Sequence, residues 1–340
     1  MKKHVNIPIF IPHLGCPNQC VFCNQRSITG KESFDPDSVI DIIEDALSTV
    51  SEETEAEIAF FGGSFTGIDY SLMCRLLEIA YSYMKSGRIS SVRCSTRPDY
   101  IDEKILDTLK KYGVGVIELG LQSANDTVLA LSKRGHDFLT EKKAVKMIKD
   151  RGFSLVGQMM IGLPGSTLEA EIETAEFICQ SGADGARVYP TVVFRETELC
   201  GMAISGEYTP LSVDEAVERT SKILAVFNKY GVKVIRVGLC ASENLSSPEA
   251  YYAGPNHPAL GELCENQLFY SVIFEKIKNM QLSANASVEV KVPRGAMSKA
   301  IGQNKKNKLR LISDFDLSEL VFSEHSGLDR YEVECEERKT

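Results

Sequence analysis

Cys16, Cys20 and Cys23 stand in the spacing C-x3-C-x2-C, with Phe22 just before the third and an apolar run, residues 7–14, ahead of the first. Three thiolates can hold three irons of a four-iron, four-sulfur cluster and leave the fourth iron without a protein ligand. An open iron can chelate a small molecule, which a four-cysteine electron-transfer site cannot do. Zinc is the competing outlet for the same residues. His13 lies three positions before Cys16 and would complete a tetrahedral set of one histidine and three cysteines.

Other residues with chemical capacity are spread along the chain. Gly62-Gly63 leaves backbone amides open to a ligand's amino or carboxylate group, or is a plain tight turn. Arg97 can pair with a carboxylate or cap a surface helix. Arg134-Gly135-His136 sits in a polar loop and reads as solvated surface. Cys74, Cys179 and Cys264 fall on apolar helical faces and read as core thiols.

These groups need a frame, and the pattern of short β-branched runs between longer amphipathic ones supplies it. Asp35-Pro36, a cap followed by a first-turn proline, opens a helix through Val39, Ile43 and Leu47. Strands are expected at 58–61, 91–96, 116–121, 153–161 and 186–189, with a last apolar run at 232–239. Helices are expected at 70–84, 102–112, 140–151, 168–180 and 213–230. About six βα repeats with right-handed crossovers make this an α/β chain with a partial or full parallel barrel. A doubly wound sheet is the alternative, but no G-x-G-x-x-G follows the first strand. Reactive residues of such barrels gather at the C-terminal ends of strands. There fall the three cysteines, Gly62-Gly63-Ser64-Phe65, Ser95-Thr96-Arg97-Pro98, Gln122-Ser123 and Arg187-Val188-Tyr189-Pro190, with Gln158 inside the fifth strand.

Of 340 residues, 43% are hydrophobic and 25% charged, as in an ordinary soluble protein. The net charge of −9 argues against a surface that coats nucleic acid generally, so any RNA contact must use a local basic patch. The other seven of the ten cysteines are scattered singly, which fits a reducing cytoplasm better than a disulfide scaffold. The apolar run after Met1-Lys2-Lys3 contains Pro8 and Pro12 and meets the cysteines without a cleavage site, so it does not read as a signal peptide. No stretch is long and apolar enough to span a membrane, and a cytoplasmic location is expected.

The tail departs from this acidic background. Residues 283–311 carry seven basic side chains against one acidic, a net of +6. An alternating strand at 288–292, a short helix to Ile301, the loop Gly302-Gln303-Asn304-Lys305, a second helix and a strand at 319–322 follow in order. The island resembles a KH-type RNA-binding hairpin, whose loop between two helices grips the nucleic-acid backbone. Lys299, Gly302, Lys305, Lys306 and Lys308 are then the RNA-binding candidates, with Lys305 in place of the loop's second glycine. A capping helix pair with a solvated basic face is the simpler reading.

The cysteine spacing with its aromatic resembles the signature of the radical S-adenosylmethionine superfamily. Residues 6 to about 240 resemble the radical domain of the elongator catalytic subunit. The matching pieces are 15–23, Gly-Gly-Ser-Phe at 62–65, Thr-Arg-Pro-Asp-Tyr at 96–100, Glu-Leu-Gly-Leu-Gln-Ser at 118–123, Lys-Arg-Gly-His at 133–136, Gly-Leu-Pro-Gly at 162–165 and Arg-Val-Tyr-Pro-Thr at 187–191. The resemblance implies a radical-SAM-type barrel and a [4Fe-4S] cluster on Cys16, Cys20 and Cys23, with S-adenosyl-L-methionine on the open iron. Phe22 would lie near the adenine. Gly62, Gly63 and Ser64 would take the amino group, with Ser64 replacing the family's glutamate. Ser95, Arg97, Gln122 and Gln158 would complete the cofactor site, Gln158 standing where the family usually has histidine.

The implied chemistry is reductive cleavage of the cofactor to a 5′-deoxyadenosyl radical, which takes hydrogen from a substrate. An electron donor of the flavodoxin or ferredoxin type is implied as partner. Elongator-type enzymes act on the wobble uridine of tRNA with acetyl-CoA held by a C-terminal acetyltransferase domain. Here the basic tail stands in that domain's place, so RNA is the expected substrate and the acetyl-CoA step is not carried over. A small-molecule or peptide substrate, and a non-catalytic zinc- and RNA-binding protein, are the alternatives. The expected domains are a barrel at 1–240, a helical connector at 241–282 and a small α+β basic module at 283–340.

Overall fold

The computed structural model describes residues 4–11, 14–16, 20–24, 34–51, 53–239 and 247–338. Its main sheet contains β1 (His4–Ile11), β2 (Glu55–Gly62), β3 (Ser91–Thr96), β4 (Val114–Gln122), β5 (Ser154–Ile161) and β6 (Gly185–Pro190). After a two-residue β7 (Val193–Phe194), β8 (Lys233–Val237) completes it. All six pairings run parallel and follow chain order, with β1 and β8 at the two edges. The barrel is therefore partial, and its seven strands are the six strands and the last apolar run expected. β7 leaves the sheet to pair with β9 (Tyr251–Ala253).

Six helices of the repeats are α1 (Val39–Thr49), α2 (Tyr70–Lys85), α3 (Glu103–Lys111), α4 (Asp126–Leu131), α5 (Phe138–Asp150) and α6 (Leu168–Gln180). Then come α7 (Glu198–Ser205) and α8 (Val213–Lys229). Their starts are written in the sequence as side-chain caps. Asp69, Asp102, Asn125, Asp137, Thr167 and Thr197 each accept a bond from a first-turn amide, and Ser212 with Glu215 forms a reciprocal capping box. Each such cap stabilises its helix by ~1 kcal/mol.

One face of the sheet packs on the helices. Ile7, Ile9, Ile58, Phe60, Val92, Cys94, Ile117, Leu119 and Leu155 meet Leu76, Leu77, Leu106, Ile148 and Ile178 there. Strand side chains alternate faces, so the intervening positions Glu57, Arg93, Glu118, Gln158 and Arg187 fall on the opposite face, where they pair with one another.

The C-terminal module holds α9 (Leu260–Lys278), β10 (Ser287–Pro293), α10 (Met297–Ile301), α11 (Lys306–Asp314), β11 (Glu319–His325) and β12 (Glu334–Glu337). β10 is central, parallel to β11 and antiparallel to β12. Val288, Val290 and Val292 bury one face against Phe269, Ile273 and Ile277 of α9, each full burial contributing ~1.5–3 kcal/mol. The stretch expected as a connector thus supplies the wall of the module's core, and Leu224 of α8 joins the same cluster. No helix among the described residues is long and apolar enough to cross a membrane.

Candidate cluster site

The cysteine segment has no regular structure and is fixed by its neighbours. On its first side, the amide of Gly63 donates to the Ile11 carbonyl at 2.8 Å and that of Ser64 to the Leu14 carbonyl at 3.2 Å. The Gly63 amide expected to be open to a ligand is therefore engaged, with that of Ser64, in tying the turn after β2 to the segment that carries Cys16. Backbone meets backbone here. A Cβ on Gly15 would lie 2.1 Å from the Ser64 carbonyl oxygen, and one on Gly63 would lie 2.0 Å from that of Leu14. Glycine is required at both positions for approach. The Ser64 hydroxyl is also turned inward, 2.8 Å from Thr96 Oγ1, which lies 2.5 Å from Thr66 Oγ1.

On the second side, the Val21 amide donates to the Ser132 carbonyl and the Leu199 amide donates to the Val21 carbonyl. Asn24 Nδ2 donates to the Arg195 carbonyl. Phe22 packs with a satellite cluster that includes Val193, Leu199, Cys200 and Tyr208. Two distant stretches, Ser132 and residues 193–208, thus clamp residues 21–24.

Cys20 is 6% exposed and faces two guanidinium groups. Arg134 Nη1 lies 3.3 Å and Arg97 Nη1 3.8 Å from its sulfur. Arg97 does pair with a carboxylate, but with that of Asp99, two-pronged at 2.9 Å for each bond; it also donates to the Arg134 carbonyl. Arg134 donates to the Gly120 carbonyl at 2.6 Å. His136 lies 3.4 Å from Asp99 Oδ1 through Nδ1 and 3.1 Å from Glu141 Oε1 through Nε2. The reading of 134–136 as solvated surface is thereby overturned: Arg134 is 5% exposed and the His136 side chain 1%. The loop folds back beneath the cysteines, and composition alone carries no sign of that.

Electrostatics follow the same geometry. Burial raises the Cys16 thiol above its ordinary value, and Arg97 offsets this only in part. Burial works against ionisation of Asp99, yet hydrogen bonds from His136 and Arg97 hold its carboxyl below the usual carboxylate range.

The remaining expected residues lie close to this centre or along the charged face. Glu118 is 1% exposed and pairs with Arg93 at 2.9 Å and Arg187 at 2.8 Å. Gln158 Nε2 donates to its other side at 2.8 Å. Ser95 is opposite Glu118 in the β3–β4 register. Gln122 ends β4 with φ of +72°, beside a register shift at Gly120. Glu118 was missed by sequence reasoning because a carboxylate within an apolar strand carries no motif; its flanking arginines on β3 and β6 were the available signal.

A cluster fits this donor set. Two buried cations converge on one cysteine with a single carboxylate between them, a costly arrangement around a neutral thiol. A four-iron cluster on three thiolates is an anion and would balance it. Among the described residues, no three histidine, cysteine, aspartate or glutamate side chains close on one point as a single ion needs. His13, the fourth ligand of the zinc alternative, lies outside the described residues, as does Cys240.

In the tail, Gly302, Asn304 and Lys305 have φ of +78°, +52° and +62°. Lys305 thus keeps the left-handed backbone of the glycine it replaces. Lys305 and Lys306 are exposed and Lys308 is half-buried. Lys299 is ion-paired with Glu265. Asn307 Nδ2 donates to the Asn266 and Ala300 carbonyls, locking the helix–loop–helix onto α9.

The sequence profile of the Radical SAM superfamily matches residues 10–178, and that of the Radical_SAM C-terminal domain matches residues 183–269. The chain belongs to the radical SAM superfamily of enzymes. Within it, the chain is 28% identical over 256 residues to the tRNA uridine(34) acetyltransferase of Methanocaldococcus jannaschii, covering 63% of this chain and 47% of that protein. It is 33% identical over 162 residues to Elongator complex protein 3 of Homo sapiens, covering 47% of this chain and 29% of that one. The chain thus spans about half the length of the archaeal relative. The structure of Methanocaldococcus infernus Elp3 with an N-terminal deletion shares the fold, with a TM-score of 0.62 and 24% identity over 79% of this chain and 63% of that one.

Proposed function

We propose that the protein binds a [4Fe-4S] cluster and S-adenosyl-L-methionine at the C-terminal end of its half-barrel and modifies RNA, with tRNA as the leading substrate. The observation that carries the cluster is the convergence of Arg97 and Arg134 on Cys20. When bound, the cluster and the cofactor supply one-electron cleavage to a 5′-deoxyadenosyl radical that takes hydrogen from substrate. The chain's own residues do the rest. Cys16, Cys20 and Cys23 ligate the iron, and the clamp around residues 21–24 fixes the last two. Phe22 offers a ring for the adenine, and the turn at Gly62-Gly63 approaches through backbone. Glu118, held between Arg93 and Arg187, presents a rigid polar floor that orients groups entering from the strand ends. The reducing partner is a small one-electron donor of the flavodoxin or ferredoxin type. A Cys20→Ala protein, supplied with iron, sulfide and reductant without oxygen, is expected to make no 5′-deoxyadenosine. Undiminished production by that variant refutes the cluster assignment.

RNA as substrate is supported by the left-handed loop and its exposed lysines, together with the relatedness to a tRNA-acting enzyme over the radical portion. Phosphate contacts make binding fall with salt, by roughly one unit of log–log slope per neutralised contact. Replacing Lys305, Lys306 and Lys308 by glutamine is therefore expected to weaken tRNA binding about tenfold or more at physiological salt and to flatten its salt dependence. Binding that ignores the triple change removes the tail from the docking surface. Activity on a small molecule or peptide, undiminished in the same triple variant, points to the other substrate class.

A further inference from the structure

We propose that Arg134 is the electrostatic positioning residue of the cluster: its fixed guanidinium beside the Cys20 sulfur raises the potential at which the cluster accepts its electron. This rests on the cluster reading above. Arg134 is 5% exposed, and its Nη1 is 3.3 Å from the Cys20 sulfur. The residue is braced at three points, one through its side chain and two through its backbone. Nη2 donates to the Gly120 carbonyl at 2.6 Å. Its own amide donates to the Leu129 carbonyl at 3.0 Å, and its carbonyl accepts from Arg97 Nη2. A buried group so held is kept from water when its neighbour's charge changes.

The two guanidiniums beside Cys20 differ in one respect. Arg97 is neutralised by Asp99 through paired bonds, and that pair is close to self-contained. Arg134 has no carboxylate within ion-pair distance among the described residues, only a carbonyl and the thiol. Its Nε is buried without a partner. Isolated buried cations are costly unless an anion meets them, and the cluster proposed above would place that anion beside Arg134. The electron that reduces the cluster adds one more negative charge, with no atom transferred and a low-potential one-electron donor as its source. A fixed cation beside a ligand sulfur favours that reduced state over the oxidised one. Hydrogen bonds to the sulfurs and local charge are the levers that set such potentials.

The test is the midpoint potential of the reconstituted cluster, followed by electron paramagnetic resonance during a redox titration without S-adenosylmethionine. Iron and sulfide are counted first. A wild-type chain that takes up neither refutes the cluster reading itself, whereas a loaded cluster lets the inference be judged separately. Arg134→Gln is expected to lower the reduction equilibrium by at least tenfold, about 59 mV for a one-electron couple. Arg134→Lys, which keeps the charge, should stay within about threefold of wild type. Asp99→Asn removes the counter-charge from Arg97 and should shift the potential the opposite way. A fully loaded Arg134→Gln cluster with an unmoved potential overturns the proposal. Should that variant fail to fold or to load iron, Asp99→Asn decides: a raised potential supports the electrostatic role, and an unmoved or lowered one overturns it.

Discussion

At Gly63 and Gly15 the decisive quantity is free distance. A methyl group at Gly63 would need the space already filled by the Leu14 carbonyl oxygen, 2.0 Å away, and that atom is backbone. Gly63→Ala is therefore expected to cost ~3 kcal/mol and to lower the iron bound per chain, because relief comes only by moving the segment that carries Cys16. Gly152 is the control. It also has positive φ, at +72°, but an added Cβ there meets nothing within 4 Å. Gly152→Ala should cost ~1 kcal/mol from backbone conformation alone and leave iron content unchanged. Equal iron loss in both variants, read by metal analysis beside thermal melts, would rule out the close-approach account. At this scale the cysteines stand out because their spacing suits metal ligation. Arg134, His136 and Glu118 do not, since no local rule says which polar residue the chain will fold over.

At the scale of elements, hydrophobic period and capping residues placed the main helices and strands of the repeats to within a few residues, whereas the short α4, α7, β7, β9 and β12 had no such periodic signal. Asp102, for example, marks the start of α3 as cleanly in the sequence as in its bond to the Ile105 amide at 2.7 Å. What the period could not show was closure. Whether the parallel strands seal into a ring depends on the edges β1 and β8, and each strand's own pattern is blind to that. The loop between α10 and α11 carries a further consequence. Lys305 holds φ of +62°, which costs a non-glycine residue ~1 kcal/mol. Lys305→Gly should raise the stability of the protein by up to ~1 kcal/mol while removing one cationic contact. A denaturant titration paired with RNA binding in varied salt tests this. A variant that is less stable, with its salt slope unchanged, contradicts both halves.

For the molecule as a whole, a buried string of titratable groups runs from Asp99 through His136 to Glu141 and makes stability depend on pH. Burial pushes the Glu141 carboxyl up to about 7, against the pull of His136. Burial would lower His136, but hydrogen bonds with Asp99 and Glu141 outweigh it and its value rises. Both groups bind their protons more tightly in the folded state. For Glu141 the stabilisation is complete below its ordinary 4.5 and is lost as pH climbs through about 7. For His136 it is complete below 6.5 and is lost above the raised value. Asp99 acts oppositely, contributing above its ordinary 3.8 and losing that on acidification. Thermal stability is thus expected to decline from roughly pH 5 to 8, and Glu141→Gln should make that decline shallower; parallel curves for the two proteins would refute the coupling. The clamp around the cysteines also bears on how the protein is made. Val21 is bonded to both Ser132 and Leu199, so its place depends on chain that leaves the ribosome almost two hundred residues after the start. If the cysteines hold the cluster proposed above, iron loading is expected only once the chain through Leu199 has folded.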